Sequence, residues 1–260
     1  MSKLIKLLEQ LGRENPPRLG FGMKTVQKPN PEMVLLGFAK DWKSLKKKDI
    51  SGLDGIIFVE KNQKGIRRKP NSSSPEEIPW GVILESPTEK DASELLQQGC
   101  DFIALSSLNV IVEATKEEDL GHFLVMPSDL SQDDQQALAG LPIDGIFVDS
   151  ISTGAWTLEQ LLILSKFRKE IGKTFILRID LIPSSWELEC LHNIGVDGLI
   201  IEIENQTDAE ISALSALIQA LPKKSNQRGK LIPSLGNLVD QQNILHEEDE
   251  DEDEDVDEDF

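Results

Sequence analysis

The chain has 260 residues, of which 39% are hydrophobic, and its 46 acidic and 27 basic side chains give a formal net charge of −19. That length suits one large domain or two small ones with a sizeable core. Twelve of the acidic residues lie in 247–260, so the first 246 residues carry an excess of only seven negative charges. The body of the chain has no general basic footprint, and nucleic acid is therefore not an expected partner.

The N-terminal segment and the cysteines indicate a cytoplasmic protein. The segment MSKLIKLLEQLGREN lacks the apolar stretch and cleavage site of a signal peptide, and its spacing of leucines predicts an amphipathic helix. No apolar run approaches the roughly 20 residues that a membrane helix needs, so no membrane association is expected. Cys100 and Cys190 are too few for a disulfide framework, and packing as free thiols is the simplest interpretation of both.

Beyond residue 30 the chain alternates between strand-like and helix-like segments. The strand-like segments are continuous apolar runs, typical of strands covered on both faces, and they lie at 33–39, 52–60, 79–85, 100–106, 122–127, 143–149, 174–180 and 196–204. Helix signals, namely cap residues at the start and Gly or basic residues at the end, occur at 87–99, 128–140, 150–172, 183–195 and 207–224. The interval 62–78, with its glycine, prolines and three consecutive serines, predicts an irregular loop on the carboxyl-end face.

Four strand-like runs begin with the same phrase, in which a turn residue and an Asp precede the apolar residues: GLDGIIF, GCDFIAL, PIDGIFV and GVDGLII. This phrase is typical of the short turn that returns the chain from a helix into a sheet. Eight alternating units predict a closed (β/α)8 barrel of the TIM type, with an open doubly wound parallel sheet as the alternative. The pattern resembles the aldolase-type TIM barrels, including the phosphate- and flavin-binding branch in which such phrases recur.

The predicted barrel is flanked by other segments, which divides the chain into four parts. An N-terminal helix and turn-rich lead-in occupy 1–29, and the barrel occupies 30–222. A polar connector follows over 223–246. The acidic run 247–260 cannot bury a core and repels itself, so it is predicted to be disordered.

Charged residues directly follow several of the predicted strands. In a barrel of this kind the carboxyl ends of the strands form the active face, so these side chains are expected to meet around one mouth. Neighbouring carboxylates raise one another's pKa values, which suits a general acid or base, and an arginine can hold a substrate carboxylate or phosphate with two hydrogen bonds. The candidate catalytic residues are Glu85, Asp149, Arg178, Asp180 and Glu202, and the candidate substrate-binding residues are Lys40, Lys61, Arg67, Arg68 and Glu204.

Arg178 is the centre of this candidate site. Side chains alternate along a strand, so Arg178 and Asp180 point to one face and Leu177 to the other. We expect Arg178 to face the interior with Glu202 in hydrogen-bonding range, and its replacement to cost on the order of 3–5 kcal/mol by leaving carboxylates buried and unpaired. The alternative is a purely structural Arg–Glu pair that fills the upper layer of the barrel.

Several other reaction classes lack their residues at the strand ends. His122, His192 and His246 lie elsewhere, so no zinc site is expected, and the spacing of the carboxylates does not support a Mg²⁺ site. Schiff-base aldolases of this fold carry a lysine at the end of the sixth strand, where this chain has Asp149, although Lys40 and Lys61 remain as strand-end amines. The last two loops, LIPSS and NQTDAE, lack the glycines that cradle phosphate in the phosphate- and flavin-binding barrels, so no cofactor is expected.

Two functional hypotheses remain open at this point. The first is an enzyme of the lyase or isomerase kind, which acts by acid–base chemistry on a small polar or anionic metabolite. The second is a non-catalytic barrel that serves as a scaffold or binding module, with the acidic tail as the element that binds a protein partner.

The tail generates a testable prediction. It ends in Phe260, and it resembles the acidic, Phe-terminated tail by which bacterial single-stranded-DNA-binding proteins are recognised by partner proteins. The tail is interpreted as a disordered solubilising segment, and the alternative is docking, either on a basic partner or on the chain's own basic stretch 61–69. Exposed contacts of this kind weaken steeply with salt. If the tail docks within the chain, amide spectra of the full chain and of a chain ending at His246 should differ for 61–69 at low salt only. Identical spectra would contradict docking within the chain.

Overall fold

A computed structural model of the chain describes residues 1–13, 30–45, 48–59, 78–127, 130–152 and 154–223. Eight parallel strands form a closed barrel in sequence order. They are β1 (Val34–Ala39), β2 (Gly55–Val59), β3 (Trp80–Leu84), β4 (Phe102–Leu105), β5 (Gly121–Val125), β6 (Gly145–Val148), β7 (Thr174–Ile179) and β8 (Gly198–Glu202). Each strand lies on one predicted segment, and β8 pairs with β1. The predicted TIM-type barrel is confirmed, and the open sheet is wrong.

Seven α-helices lie in the described part of the chain, and none of them has the length and apolarity needed to cross a membrane. They are α1 (Lys3–Glu9), α2 (Trp42–Leu45), α3 (Glu89–Gln97), α4 (Gln132–Ala137), α5 (Leu158–Ile171), α6 (Ser185–Ile194) and α7 (Asp208–Gln219). Reciprocal capping boxes begin four of these helices, at Thr88, Thr157, Ser184 and Thr207. The cap at Thr157 explains why α5 begins several residues later than the predicted helix 150–172.

Two of the helices also end as the sequence predicts. Gly172 and Gly195 follow α5 and α6 with φ values of 66° and 105°, a left-handed conformation that glycine adopts without a steric cost. The crossover between β4 and β5 contains no α-helix, because its described residues form only a short 3-10 helix, Val112–Thr115. That part of the barrel wall is therefore covered by a loop instead of an α-helix.

Alternation along the strands produces two cores. The outer core lies between the sheet and the helices, and the inner core fills the barrel with residues from alternate positions. Phe123 stacks on Phe147 at 4.7 Å between ring centroids, and Phe102 meets Phe123 edge-on at 5.6 Å. Gly81 leaves room for this cluster, because a Cβ atom there would lie 2.3 Å from the ring of Phe102.

The repeated Asp phrase joins each even-numbered strand to the strand before it. The N–H of Asp54 donates to the carbonyl of Leu35 at 2.8 Å, and its carboxylate accepts the N–H of Leu35 at 2.8 Å. The same pair of hydrogen bonds joins Asp144 to His122 and Asp197 to Phe175. Partial burial of the Asp54 carboxyl group raises its pKa. The phrase therefore satisfies backbone donors at the amino-terminal end of the barrel.

The fourth aspartate, Asp101, binds the N-terminal helix. Its carboxylate accepts from the Ser2 hydroxyl at 2.7 Å and from the backbone N–H groups of Lys3 and Leu4 at 2.7 and 2.9 Å. These are the unsatisfied N–H groups at the start of α1, where a negative charge is favourable. The side chain of Leu4 is fully buried in the inner core. Helix α1 therefore closes the amino-terminal end of the barrel.

We predict that Leu4→Ala lowers the free energy of unfolding by about 2–5 kcal/mol, since it leaves a cavity beneath the inner core. Leu158→Ala is the matched control, because the side chain of Leu158 is 85% exposed, and its effect should stay within about 0.5 kcal/mol. Urea denaturation followed by circular dichroism measures both. Equal midpoints for the two variants would show that α1 is not part of the cooperative core.

Candidate functional site

Three of the predicted site residues face inward at the carboxyl ends of consecutive strands. Arg178 stands two positions after Ile176 of the inner core, and Glu202 stands two positions after Ile200. Asp149 follows β6 in the same phase as Phe147. Because alternate residues share a face, these three side chains surround one opening of the barrel. We call this opening the mouth.

Arg178 is held by Asp149 and by an aromatic ring. Its Nη1 lies 3.5 Å from Oδ1 of Asp149, and its guanidinium carbon lies 5.0 Å from the centroid of the Phe38 ring. The predicted partner, Glu202, is wrong, because the ion pair of Arg178 among the described residues is with Asp149. The large stability cost predicted for replacing Arg178 assumed a buried ion pair. That assumption is wrong, because the side chains of Arg178 and Asp149 are 35% and 68% exposed. Solvent-exposed pairs contribute about 0–1 kcal/mol.

Glu202 takes part in a different group of contacts. Its Oε2 accepts a hydrogen bond from Nδ2 of Asn205 at 2.7 Å, and its Oε1 lies 3.9 Å from Nζ of Lys40. Asn205 belongs to a 3-10 helix, Ile203–Asn205, which follows β8 directly. The predicted strand 196–204 therefore ends earlier than expected. The side chain of Glu202 is 24% exposed and has fixed neighbours.

Lys40 and Glu204 form the shortest ion pair at the mouth. Their Nζ and Oε2 atoms lie 2.6 Å apart. The hydrogen bond to Glu204 and its negative charge raise the pKa of Lys40, and the hydrogen bond from Lys40 lowers the pKa of Glu204. The 3-10 helix after β8 brings Glu204 to this position, which an extended strand would not do.

The remaining predicted residues are less closely associated. Glu85 follows β3 and Asp180 follows β7, both are exposed, and neither forms an ion pair with another described residue. The backbone carbonyl of Asp180 accepts a bond from Nε2 of Gln206 at 3.4 Å. Lys61, Arg67 and Arg68, the predicted loop 62–78 and the acidic tail with Phe260 lie outside the described residues.

Three apolar side chains complete the mouth, and the sequence analysis did not single them out. Phe38, Ile83 and Val125 are the last inward-facing residues of β1, β3 and β5, and they pack on the inner core while remaining partly exposed. The available signal was their position, because each shares the inward phase of its strand and lies near the carboxyl end. Their role in lining a site requires the barrel to be closed.

Two of the histidines, His122 and His192, and one cysteine lie in buried surroundings. His122 is packed on the outer side of β5, where burial lowers its pKa. His192 of α6 is fully buried, with Nε2 3.4 Å from Oε2 of Glu32. Burial raises the pKa of the Cys100 thiol to about 12, and its Sγ donates to the carbonyl of Phe102 at 3.2 Å. Across the described ranges, no three His, Cys, Asp or Glu side chains come close enough to hold a metal ion.

The barrel wall also contains an apolar groove that the sequence analysis missed. It has a volume of about 110 Å³ and lies beside the 3-10 helix between β4 and β5. Leu105 and Leu124 form its floor, and Ile111 and Val112 at its rim are 61% and 69% exposed. The available signal was the run NVIV at 109–112, which belongs to no predicted strand. The groove follows from the absence of an α-helix in this crossover.

A scan against models of protein families and a search of curated proteins both give no match to this chain. Similar solved structures include a mutant tryptophan synthase alpha-subunit from the hyperthermophile Pyrococcus furiosus, with a TM-score of 0.53 and 10% identity, covering 72% of this chain and 97% of that chain. A second mutant of that subunit has a TM-score of 0.53 and 11% identity, covering 74% of this chain and 98% of that chain. The tryptophan synthase complex from the same organism has a TM-score of 0.51 and 10% identity, covering 71% of this chain and 97% of that chain. At this identity the likeness shows the fold alone, and it confirms the resemblance to aldolase-type barrels at that level.

We predict that Lys40→Met raises the pKa of Glu204 towards its ordinary value of 4.5, because the hydrogen bond that lowers it is lost. A carboxyl group whose pKa is lowered in the folded state stabilises the protein above its unfolded pKa and loses that effect as the pH falls through the folded value. In the Lys40→Met variant, the free energy of unfolding should therefore lose this dependence on pH. An NMR titration of Glu204 measures the shift. Lys116→Met is the control, since Lys116 pairs with Glu89. An unchanged Glu204 titration in Lys40→Met would contradict the observed pairing.

Proposed function

We propose that this barrel is an enzyme of the lyase or isomerase kind, which binds a small polar or anionic metabolite at the mouth and acts on it by acid–base chemistry. The observation that supports this most is the inward phase shared by Arg178, Asp149 and Glu202 at the ends of three consecutive strands, with Arg178 3.5 Å from Asp149. A cation and two carboxylates at the carboxyl ends of barrel strands are the groups that substrate positioning and proton transfer require. The tryptophan synthase alpha-subunit shares the fold, which adds an argument by analogy only.

Arg178 is suited to hold an anionic group of the substrate. Its planar guanidinium can donate two parallel hydrogen bonds to a carboxylate, and the Phe38 ring beneath it limits its orientation. Asp149 occupies part of this donor set. A bound anion would take the place of Asp149 at Arg178. The released Asp149 carboxylate would then be available as a base at the edge of the substrate.

Glu202 is suited to proton transfer on the opposite side of Arg178. Its hydrogen bond to Asn205 fixes one carboxylate oxygen, while the other faces Lys40 at a longer distance of 3.9 Å. A carboxyl group that is largely buried and held in place meets the geometric requirement for a general acid or base. Lys40 and Glu204 would bind polar groups of the substrate at the rim, and Glu85 and Asp180 lie further out.

A non-catalytic scaffold or binding module is the second candidate, and one observation favours it. Charged groups at the mouth pair with one another, Arg178 with Asp149 and Lys40 with Glu204. Under this alternative the pairs would be structural, and the acidic tail would provide the contact with a protein partner. Turnover distinguishes the two candidates, because a scaffold binds without converting anything.

We predict that Arg178→Gln weakens the binding of small carboxylates by about tenfold or more, because hydrogen bonds to charged groups contribute about 1.5–3 kcal/mol. Its stability should change by no more than about 1 kcal/mol, since the pair with Asp149 is exposed. Lys169→Gln is the matched control. It also removes one exposed positive charge, but from the last turn of α5 at the other end of the barrel. Amide-shift titrations of the full chain with a panel of carboxylates measure the affinities.

The same panel, incubated with the protein and followed by proton NMR, tests catalysis. The proposed enzyme should convert at least one carboxylate, and Glu202→Gln should abolish conversion while binding is retained. Binding without conversion of any compound would favour the scaffold. If the unmodified protein bound none of the anions, the proposed site would be wrong.

A further inference from the structure

The mouth combines charged and apolar side chains. Arg178 and Glu202 lie on β7 and β8, and the charged residues Asp149, Lys40 and Glu85 directly follow β6, β1 and β3, whereas the last inward-facing residues within β1, β3 and β5 are apolar. We call these three residues, Phe38, Ile83 and Val125, the apolar side of the mouth. Phe38 marks the boundary, because its ring lies under the Arg178 guanidinium and its backbone is in register with Glu202.

The apolar side differs from the core beneath it in one measurable respect. The inward-facing residues one layer below, such as Leu36, Ile57 and Phe123, are fully buried. Phe38, Ile83 and Val125 pack on that layer but remain partly exposed. A ligand that enters the mouth would shield this apolar surface from water. A ligand made entirely of polar groups would leave this surface hydrated and would gain nothing from it.

From this arrangement we infer that the ligand of the mouth is amphipathic, a carboxylate joined to a compact apolar body such as a phenyl ring or a branched alkyl chain. The carboxylate pairs with Arg178, because a planar carboxylate can accept two parallel hydrogen bonds from a planar guanidinium. The apolar body lies against Ile83 and Val125. Binding sites with this composition, mostly apolar with a few polar groups that fix orientation, are typical for small molecules. This inference rests on the proposed function and narrows its substrate class.

Three probes separate the two halves of the inference: propionate, 3-phenylpropionate and 3-phenyl-1-propanol, each titrated into the full chain and followed by amide chemical shifts. 3-Phenylpropionate should bind about tenfold or more tightly than propionate, because its phenyl ring buries apolar surface of the ligand and of the mouth. Loss of the carboxylate should weaken binding by a similar factor. Ile83→Thr combined with Val125→Thr should reduce the advantage of 3-phenylpropionate while the propionate affinity stays unchanged, which also shows that the variant is folded.

The outcomes distinguish this inference from the function on which it rests. Equal affinities for propionate and 3-phenylpropionate would overturn the amphipathic ligand and leave the anion site at Arg178 standing. Equal affinities for 3-phenylpropionate and 3-phenyl-1-propanol would also overturn it, since the carboxylate would then have no role. If neither carboxylate shifted residues around Arg178, the proposed function would fail together with the inference.

Discussion

Closing eight parallel strands into a ring is the constraint on which the rest of this structure depends. A closed ring has no edges and its interior must be filled by side chains. Every second residue of each strand therefore belongs to the inside, whatever its chemistry. In the lower layers these residues are aromatic or aliphatic, and Gly81 makes room for the ring of Phe102. In the last layer the same rule points the side chains of Arg178 and Glu202 inward, into the mouth.

The two ends of the barrel have separate tasks. At the amino-terminal end, aspartates satisfy backbone N–H groups, and Asp101 anchors α1 so that Leu4 enters the inner core. These contacts hold the strands together at that end. At the carboxyl end, charged groups remain partly exposed next to apolar ones. Stability and chemistry can thus change independently, which is the usual division of labour in barrels of this type.

Ion pairing at the mouth matters for the proposed function. Arg178 with Asp149 and Lys40 with Glu204 are accessible pairs, and they contribute little to stability. Under the proposed function, such pairs would hold charged side chains in defined positions until a charged ligand replaced one partner. The aromatic contact of Arg178 with Phe38 adds a constraint that does not depend on Asp149. Side chains held in this way would lower the entropic cost of binding a ligand.

The sequence by itself determined the strands, most of the helices and the inward phase of Arg178, because these depend on periodicity and on local caps such as Thr157. Only the tertiary structure decided that Arg178 pairs with Asp149, that Asn205 holds Glu202, and that Phe38 lies at the mouth. The physical reason is that alternation specifies the face of a side chain but not its neighbour across the ring. The neighbour depends on the stagger of eight strands and on the turn that follows each one.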